Sequence, residues 1–386
     1  MKKRPGSFAP LGFAALLTLL LPQTALALRS GDDAVELNVD YVANGPVALT
    51  PPKVDPARAG ELKIPVLLRA DSPGSPAMLS MIYELRHRYP KTTFVVVSPD
   101  SEKQAKALFD RFAQPNFATA IDRTMASTRK YMGAGAIFPK AFAIDHTGKI
   151  IWDGEAADLG QMIDEFYAGT FDADRQKTIS PLLDQLQSRL RSGEEISADH
   201  TAQQILTIDP AHMPTLRMRV FMLETSGRAA DAWKLIERQQ EKSPKSERLY
   251  LLQLDFAARN PAYGGELGKI AVRYMENVKP DAVNDSIVAW GLLNQRPFDP
   301  VALKIAGLLV DRAQANRAAA ADIGQADVWS TAALYNSRIG RLAEALAMQQ
   351  SATAILRKSA PHRVESALLM EKFYTIAVEA HRAATK

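Results

Sequence analysis

The chain has 386 residues, 47% of them hydrophobic, with 47 Lys+Arg against 43 Asp+Glu and no cysteine. This composition excludes disulfide staples and any thiol or disulfide chemistry by the chain's own side chains, and it is rich enough in apolar residues for two conventional cores. A net charge of +4 without a block of like charges gives no electrostatic reason to expect nucleic acid.

Residues 1–27 read as a signal peptide. Lys2, Lys3 and Arg4 precede an apolar run from Leu11 to Leu21, Pro22 breaks it, and Ala25-Leu26-Ala27 has the small-x-small pattern that signal peptidase accepts, so the cut is expected after Ala27. The apolar run falls short of the ~20 residues that a bilayer span needs. No later segment is apolar enough to span, so no membrane span is expected after cleavage, and the expected location is periplasmic or secreted. Cleavage removes three bases and no acid, leaving 44 against 43.

An N-terminal extension covers 28–54, and strand and helix textures alternate over 55–172. Ile64 to Leu68 is an apolar run, Met78 to Tyr89 has helical spacing, and Thr93 to Val97 is β-branched. Glu102 to Phe112 is helical again, and Phe117 to Ile121 is short and apolar. Ala141 to Ile144 and Ile150 to Trp152 flank His146-Thr147-Gly148, where the glycine supplies a hairpin turn. This alternation implies an α/β sandwich around a central sheet. A polar stretch at 173–180 is expected as a linker. From 181 to 386 strand signals vanish, and helical stretches are broken by Pro or Gly. Gly193 and Gly227 are 34 apart, Pro210 and Pro244 are 34 apart, and Pro244 and Pro280 are 36 apart, which fits a repeated two-helix unit.

Gly227-Arg228-Ala229-Ala230-Asp231-Ala232 and Gly340-Arg341-Leu342-Ala343-Glu344-Ala345, with Trp329 before the second and Ala352 after it, resemble tetratricopeptide repeats. Small residues at these steps let paired helices approach, and the glycine ends the first helix in a left-handed conformation. Units between 260 and 325 depart from the pattern, so an irregular all-α solenoid is expected over 181–386.

The stretch from Phe138-Pro139-Lys140 through Asp145-His146-Thr147-Gly148 to Trp152-Asp153-Gly154 resembles the thioredoxin-like redoxins, especially the secreted thiol reductants of bacteria. Asp122 and Tyr131-Met132-Gly133 also fall where that family would place them. The resemblance covers about residues 55–170. It implies a thioredoxin-like α/β fold, a cis-proline at Pro139 and a surface beside it that binds extended polypeptide. The departure is at the redox centre. Where the family has Cys-x-x-Cys, this chain has Arg69-Ala70-Asp71-Ser72-Pro73-Gly74-Ser75-Pro76, and a hydroxyl cannot serve as a redox couple. The surface that the resemblance marks for binding consists of Ser72, Pro73, Gly74, Ser75, Phe138 and Pro139.

A serine nucleophile would need a base within hydrogen-bond reach and a group to orient it. His87 and His146, the histidines of this domain, have no motif tying them to the serines, so one serine is expected instead to cap the helix that starts near Pro76. The six histidines are scattered without metal-ligand spacing. Gly133-Ala134-Gly135 lacks the third glycine of a nucleotide fingerprint and reads as a loop. Trp152, Phe138 and Phe142 read as sheet-face core, Met213, Met218 and Met222 as helix packing, and Lys242, Lys245 and Arg248 as a solvated face. No catalytic residue, metal or cofactor is expected. The sequence therefore points to an exported, non-catalytic binding or scaffold protein that engages a protein or peptide partner through the redoxin surface and the helical groove. The alternatives are an accessory subunit of a thiol-disulfide oxidoreductase that works with a partner's cysteines, and a small-ligand sensor with a pocket between the domains.

Overall fold

A computed structural model describes residues 27–45, 48–49, 58–111, 115–133 and 137–384; the expected signal peptide lies outside them except for Ala27. Six strands form one sheet among these residues: β1 (Tyr41–Ala43), β2 (Leu62–Leu67), β3 (Thr92–Ser98), β4 (Ala118–Ile121), β5 (Lys140–Ile144) and β6 (Ile150–Glu155), in the order β1-β4-β3-β2-β5-β6. Between and after them come α1 (Ser75–Arg88), α2 (Glu102–Phe109), α3 (Ala126–Met132) and α4 (Leu159–Tyr167). β2 is parallel to β3 and β3 to β4, while β5 runs antiparallel to both β2 and β6. Parallel strands joined through helices, followed by an antiparallel hairpin, make the thioredoxin-like arrangement that the sequence implied.

Alternation within the strands decides the two faces. Ile64, Val66, Phe94, Val96, Ala141 and Ala143 bury one face under α1, α2 and α4. Leu67, Val95, Val97, Phe142 and Ile144 bury the other against Tyr131 and Met132 of α3. Buried Asp122 closes the start of α3 by accepting from the Ala126 and Thr128 N–H groups at 2.9 and 2.7 Å. In the β5–β6 turn, Asp145 Oδ1 accepts from the Thr147 and Lys149 N–H groups, and Gly148 takes φ +87°. The Phe138–Pro139 bond is cis.

The expected N-terminal extension is an integral part of the sheet. The Gly31 N–H donates to the Ile150 carbonyl at one edge, and β1 pairs antiparallel with β4 at the other. Between those points Val35, Leu37 and Val39 pack on the α3-side core. Asp153, buried on β6, accepts from the Ser30 N–H and the Ser180 hydroxyl, both at 2.8 Å, and pairs with Lys140 at 3.2 Å. One carboxylate thus ties together the extension, the hairpin and the first helix that follows the sheet.

That helix corrects the expected linker. Residues 173–180 open α5 (Ala173–Arg191), a single helix that runs through Pro181. The polar residues are a helix start: Asp172 accepts from the Arg175 N–H at 2.9 Å, and Asp174 lies in the first turn. Ten more helices follow among the described residues: α6 (Glu195–Ile208), α7 (Met213–Thr225), α8 (Ala229–Lys242), α9 (Glu247–Arg259), α10 (Leu267–Asn277), α11 (Ala282–Gln295), α12 (Pro300–Asn316), α13 (Asp322–Arg338), α14 (Leu342–Ser359) and α15 (Val364–Ala384). Gly193, Gly227 and Gly340 separate α5 from α6, α7 from α8 and α13 from α14, each with φ between +73° and +81°. The run is a helical solenoid in which most consecutive helices pack as neighbours, the exception being α10, which packs on α9 and α12 rather than on α11.

The far end of this run returns to the sheet domain. Ile323, Ala326, Leu356, Ala360 and Ala367 belong to the same buried core as Leu79, Ile82 and Leu85 of α1. Glu84 of α1 reaches the start of α13, where it accepts from the Ala321 and Gly324 N–H groups at 3.0 and 2.7 Å. It therefore neutralises part of the positive end of that helix. A Cβ on Gly324 would sit 2.8 Å from Glu84 Oε1, so this position has no room for a side chain. Arg88, one turn further along α1, pairs at 2.6 Å with Asp281, which itself caps α11.

Glu84→Ala is expected to cost about 2–4 kcal/mol by removing two charge-assisted bonds, read from chemical denaturation. Burial pushes the Glu84 carboxyl above its ordinary value of 4.5, against the opposing pull of the two N–H groups. With a raised folded pKa, folding takes up a proton as pH falls from the folded value toward 4.5, so stability grows in that window. The wild-type melting temperature should therefore climb relative to Glu84→Gln as pH is lowered from about 7 to about 5.

Candidate functional site

The connection from β2 to α1 holds the Ser72–Ser75 turn. The Ser72 N–H donates to the Arg69 carbonyl at 3.1 Å, and the Ser75 N–H donates to the Ser72 carbonyl at 3.0 Å. Behind the turn, buried Asp100 at the end of β3 accepts from the Ala70 N–H at 2.6 Å and from the Ser98 hydroxyl at 2.7 Å. Ser75 is fully buried, and its hydroxyl donates to the Arg69 carbonyl at 2.6 Å. Neither serine caps α1: the N-cap position is Gly74 and no side chain bonds there, which corrects the expected serine cap. The physical reason is that the nearby Arg69 carbonyl already takes the Ser75 hydroxyl, and Pro76 at the start of the helix has no N–H to cap.

The six residues expected to form a binding surface come together only in part. Ser72 is half-buried, Pro73 and Gly74 are exposed, and Phe138 and Pro139 are half-buried. A Cβ on Gly74 would lie 3.9 Å from Pro139 Cδ, so the turn faces the cis-proline directly. Ser75 points inward and offers nothing to a partner. No histidine stands nearby: His87 lies in the last turn of α1, about 18 Å along the helix from Ser75. His146 lies beyond the far end of β5, with about 17 Å of strand between it and Pro139. Neither histidine of this domain is therefore within reach of the turn, and the chain has no thiol for electron chemistry.

Behind Pro139 lies a cavity of about 400 Å³, bounded by the β5–β6 hairpin, α4, α5 and the start of α7. Pro139, Trp152, Met162, Met213 and Met218 line it, together with the carboxylates Glu155 and Asp158. Asp158 is 6% exposed, and its Oδ1 accepts from Arg217 at 2.6 Å and Arg248 at 3.5 Å. Burial pulls Arg248 below its ordinary pKa, with Asp158 opposing, and burial raises Glu155, with Asp158 adding to the rise. His212, buried at the cavity wall with Nδ1 2.9 Å from the Thr215 hydroxyl, is driven toward its neutral form by burial.

Several of these residues were not readable as functional. Arg248, expected on a solvated face with Lys242 and Lys245, instead turns inward to a carboxylate 90 positions earlier in the chain, while the two lysines are exposed. Met213 and Met218 pack as expected but also form cavity wall. Trp152 and Phe142 are buried on opposite sheet faces as expected, and Phe138 is partly buried beside the second. Of the expected Gly133-Ala134-Gly135 loop, Ala134 and Gly135 lie outside the described residues. Among the described residues no cluster of three or more His, Asp or Glu could hold a metal ion, and no helix is long and apolar enough to cross a membrane.

No family model matches the sequence, and neither does any curated protein. Among solved structures the chain is similar to the thiol:disulfide interchange protein DsbE from Chlorobium tepidum, at 19% identity over 36% of this chain and 99% of that one, with a TM-score of 0.27. It is also similar to MTB dsbF, at 12% identity over 28% of this chain and 84% of that one, with a TM-score of 0.25. A third is the bacterioferritin comigratory protein of Xanthomonas campestris, at 17% identity over 30% and 83%, also at 0.25. The fold description rests on the strand order and connections given above.

Ser75→Ala should cost about 1 kcal/mol, because it leaves the Arg69 carbonyl without its buried donor. Ser72→Ala, whose hydroxyl is not a cap, should fall within about 0.5 kcal/mol of wild type. Denaturant melts of the two variants measure the difference, and an equal loss in both would refute the inward role of Ser75.

Proposed function

We propose that this chain is an exported, non-catalytic binding protein in which a redox-inactive thioredoxin-like module and a tetratricopeptide-like solenoid together hold a polypeptide partner. The observation that carries this reading is the fate of the two hydroxyls at the thiol positions. Ser75 is committed to a structural bond inside the turn, while Ser72, Pro73, Gly74 and Pro139 remain as an accessible face. Chemistry has gone from the site, and its surface has stayed. The helices add a second face: a groove of about 540 Å³ between α11, α13, α14 and α15, lined by Ile287, Trp290, Met370 and Tyr374. Ile287 and Trp290 are 60% and 46% exposed, more apolar surface than a helix with no partner needs to present.

Export rests on the N-terminal pattern, and N-terminal sequencing of the mature protein is expected to begin at Leu28; an intact Met1 would overturn it. Insulin reduction and peroxide consumption by the pure protein should match buffer, and turnover that survives repurification would defeat the non-catalytic reading. Binding is tested by fluorescence anisotropy with a labelled, permanently unfolded polypeptide. Gly74 has φ −77°, so its backbone accepts a side chain, and Gly74→Glu would place a charge directly before Pro139. This variant should bind the polypeptide at least about tenfold more weakly with its melting temperature unchanged. Undiminished binding would remove the redoxin face from the proposal.

A further inference from the structure

The cavity behind Pro139 carries charged groups of both signs, some of whose polar atoms have no partner. On the β6–α4 side, the Glu155 side chain has no hydrogen bond or ion pair among the described residues, although the Arg217 charge acts on it. Beside it Asp158, 94% buried by its 6% exposure, commits Oδ1 to two arginines and leaves Oδ2 without a partner. On the α5 side, Arg29 holds Asp184 at 2.6 Å through its terminal nitrogen, but its Nε is buried without an acceptor. Arg191, seven residues after Asp184 and so on the same face of α5 about two turns on, is exposed with no ion pair.

Other charged groups at the wall have ion-pair partners: Lys140 pairs with Asp153, and Glu165 and Asp209 both lie against Arg175, whose own buried Nε lacks a hydrogen-bond acceptor. His212, held toward its neutral form, adds no competing charge. What remains open to a ligand is an acidic side, Glu155 and the free oxygen of Asp158, and a basic side, Arg29 Nε and Arg191, in a wall that also holds Trp152, Met162, Met213 and Met218. Buried polar atoms without partners are uncommon in folded proteins and mark places where a further group belongs. Methionine walls adapt to apolar bodies of varied shape. A volume near 400 Å³ lies within the usual range for small-molecule sites.

We propose that this cavity binds an amphipathic zwitterion, an ammonium and a carboxylate on an apolar body, in the form of an amino acid or a very short peptide. Glu155 and Asp158 take the ammonium, Arg29 and Arg191 take the carboxylate, and the tryptophan and methionines take the body. A simple anion would leave the acidic side unmet, and a simple cation would leave the basic side unmet. The cavity adjoins the Ser72–Ser75 face at Pro139, but the charged groups that define it lie on other elements, and it does not depend on polypeptide binding at that face.

Titration calorimetry on the mature chain with L-leucine, leucyl-leucine, N-acetyl-leucine and leucinamide tests this. At least one of the two zwitterions should bind about tenfold or more tightly than both singly charged forms; which of the two binds better identifies the source as amino acid or peptide. Glu155→Gln should weaken the zwitterion and leucinamide while leaving N-acetyl-leucine unchanged. Arg191→Gln should do the reverse, weakening the zwitterion and N-acetyl-leucine alone. Arg191 is exposed without an ion pair among the described residues, so Arg191→Gln should leave the melting temperature unchanged, and binding by Glu155→Gln is read at a pH where its own melt shows the protein folded. Gly74→Glu should leave zwitterion binding intact, which separates this site from the polypeptide face. Equal binding of all four compounds, no heat from any of them up to about 10 mM, or zwitterion affinities unchanged in both variants would each overturn the proposal.

Discussion

The architecture depends on the chain closing on itself. A solenoid is held by contacts between successive units, so its distal end is ordinarily free. Here α5 starts against β6 through Ser180 and Asp153, and α13 and α14 finish against α1 in a shared core. Small residues make that second contact possible: Ala326, Ala352, Ala360 and Ala367 are buried in it, and Gly324 lets the Glu84 carboxylate touch the helix backbone. With both ends anchored, the eleven helices from α5 to α15 and the sheet form one body, and the cavity walls inherit their spacing from it.

The Ser72–Ser75 turn is supported from two sides: Asp100 braces it from β3, and Pro139 faces it. The Ser75 hydroxyl is part of that bracing. A buried hydroxyl needs a partner, and the Arg69 carbonyl is the nearest one available. The cavity lies on the other side of Pro139, where the hairpin meets α5 and the start of α7.

Local signals were legible and distant ones were not. The central strands and α1 could be read because Ile64, Val66, Phe94 and Val96 alternate with residues of the other face, a period written in adjacent positions. Gly193, Gly227 and Gly340 announced their turns because only a left-handed conformation ends those helices in that way. β1 was missed because it has three residues, largely exposed, and gains its identity only from β4. Residues 173–180 were misread because a capped, charged helix start has the same composition as a linker. Glu84 and Arg248 carried no signal, since their partners lie 240 and 90 positions away. Of the proposed binding face, the Pro139 side was legible from its motif, whereas the inward turn of Ser75 followed from packing.

The N-terminal extension has a consequence for how partners can be held. Residues 31–33 bond to one end of β6, α5 lies beside the same strand, and β1 occupies the opposite margin beside β4. An uncovered margin is a template on which a foreign chain can add itself as a further strand, the usual origin of edge-to-edge aggregation. Here the hem is stitched on both sides by the protein's own leading segment, and the outermost strand offers only three residues of backbone. Extension of this sheet by a foreign strand is therefore confined to the three residues of β1.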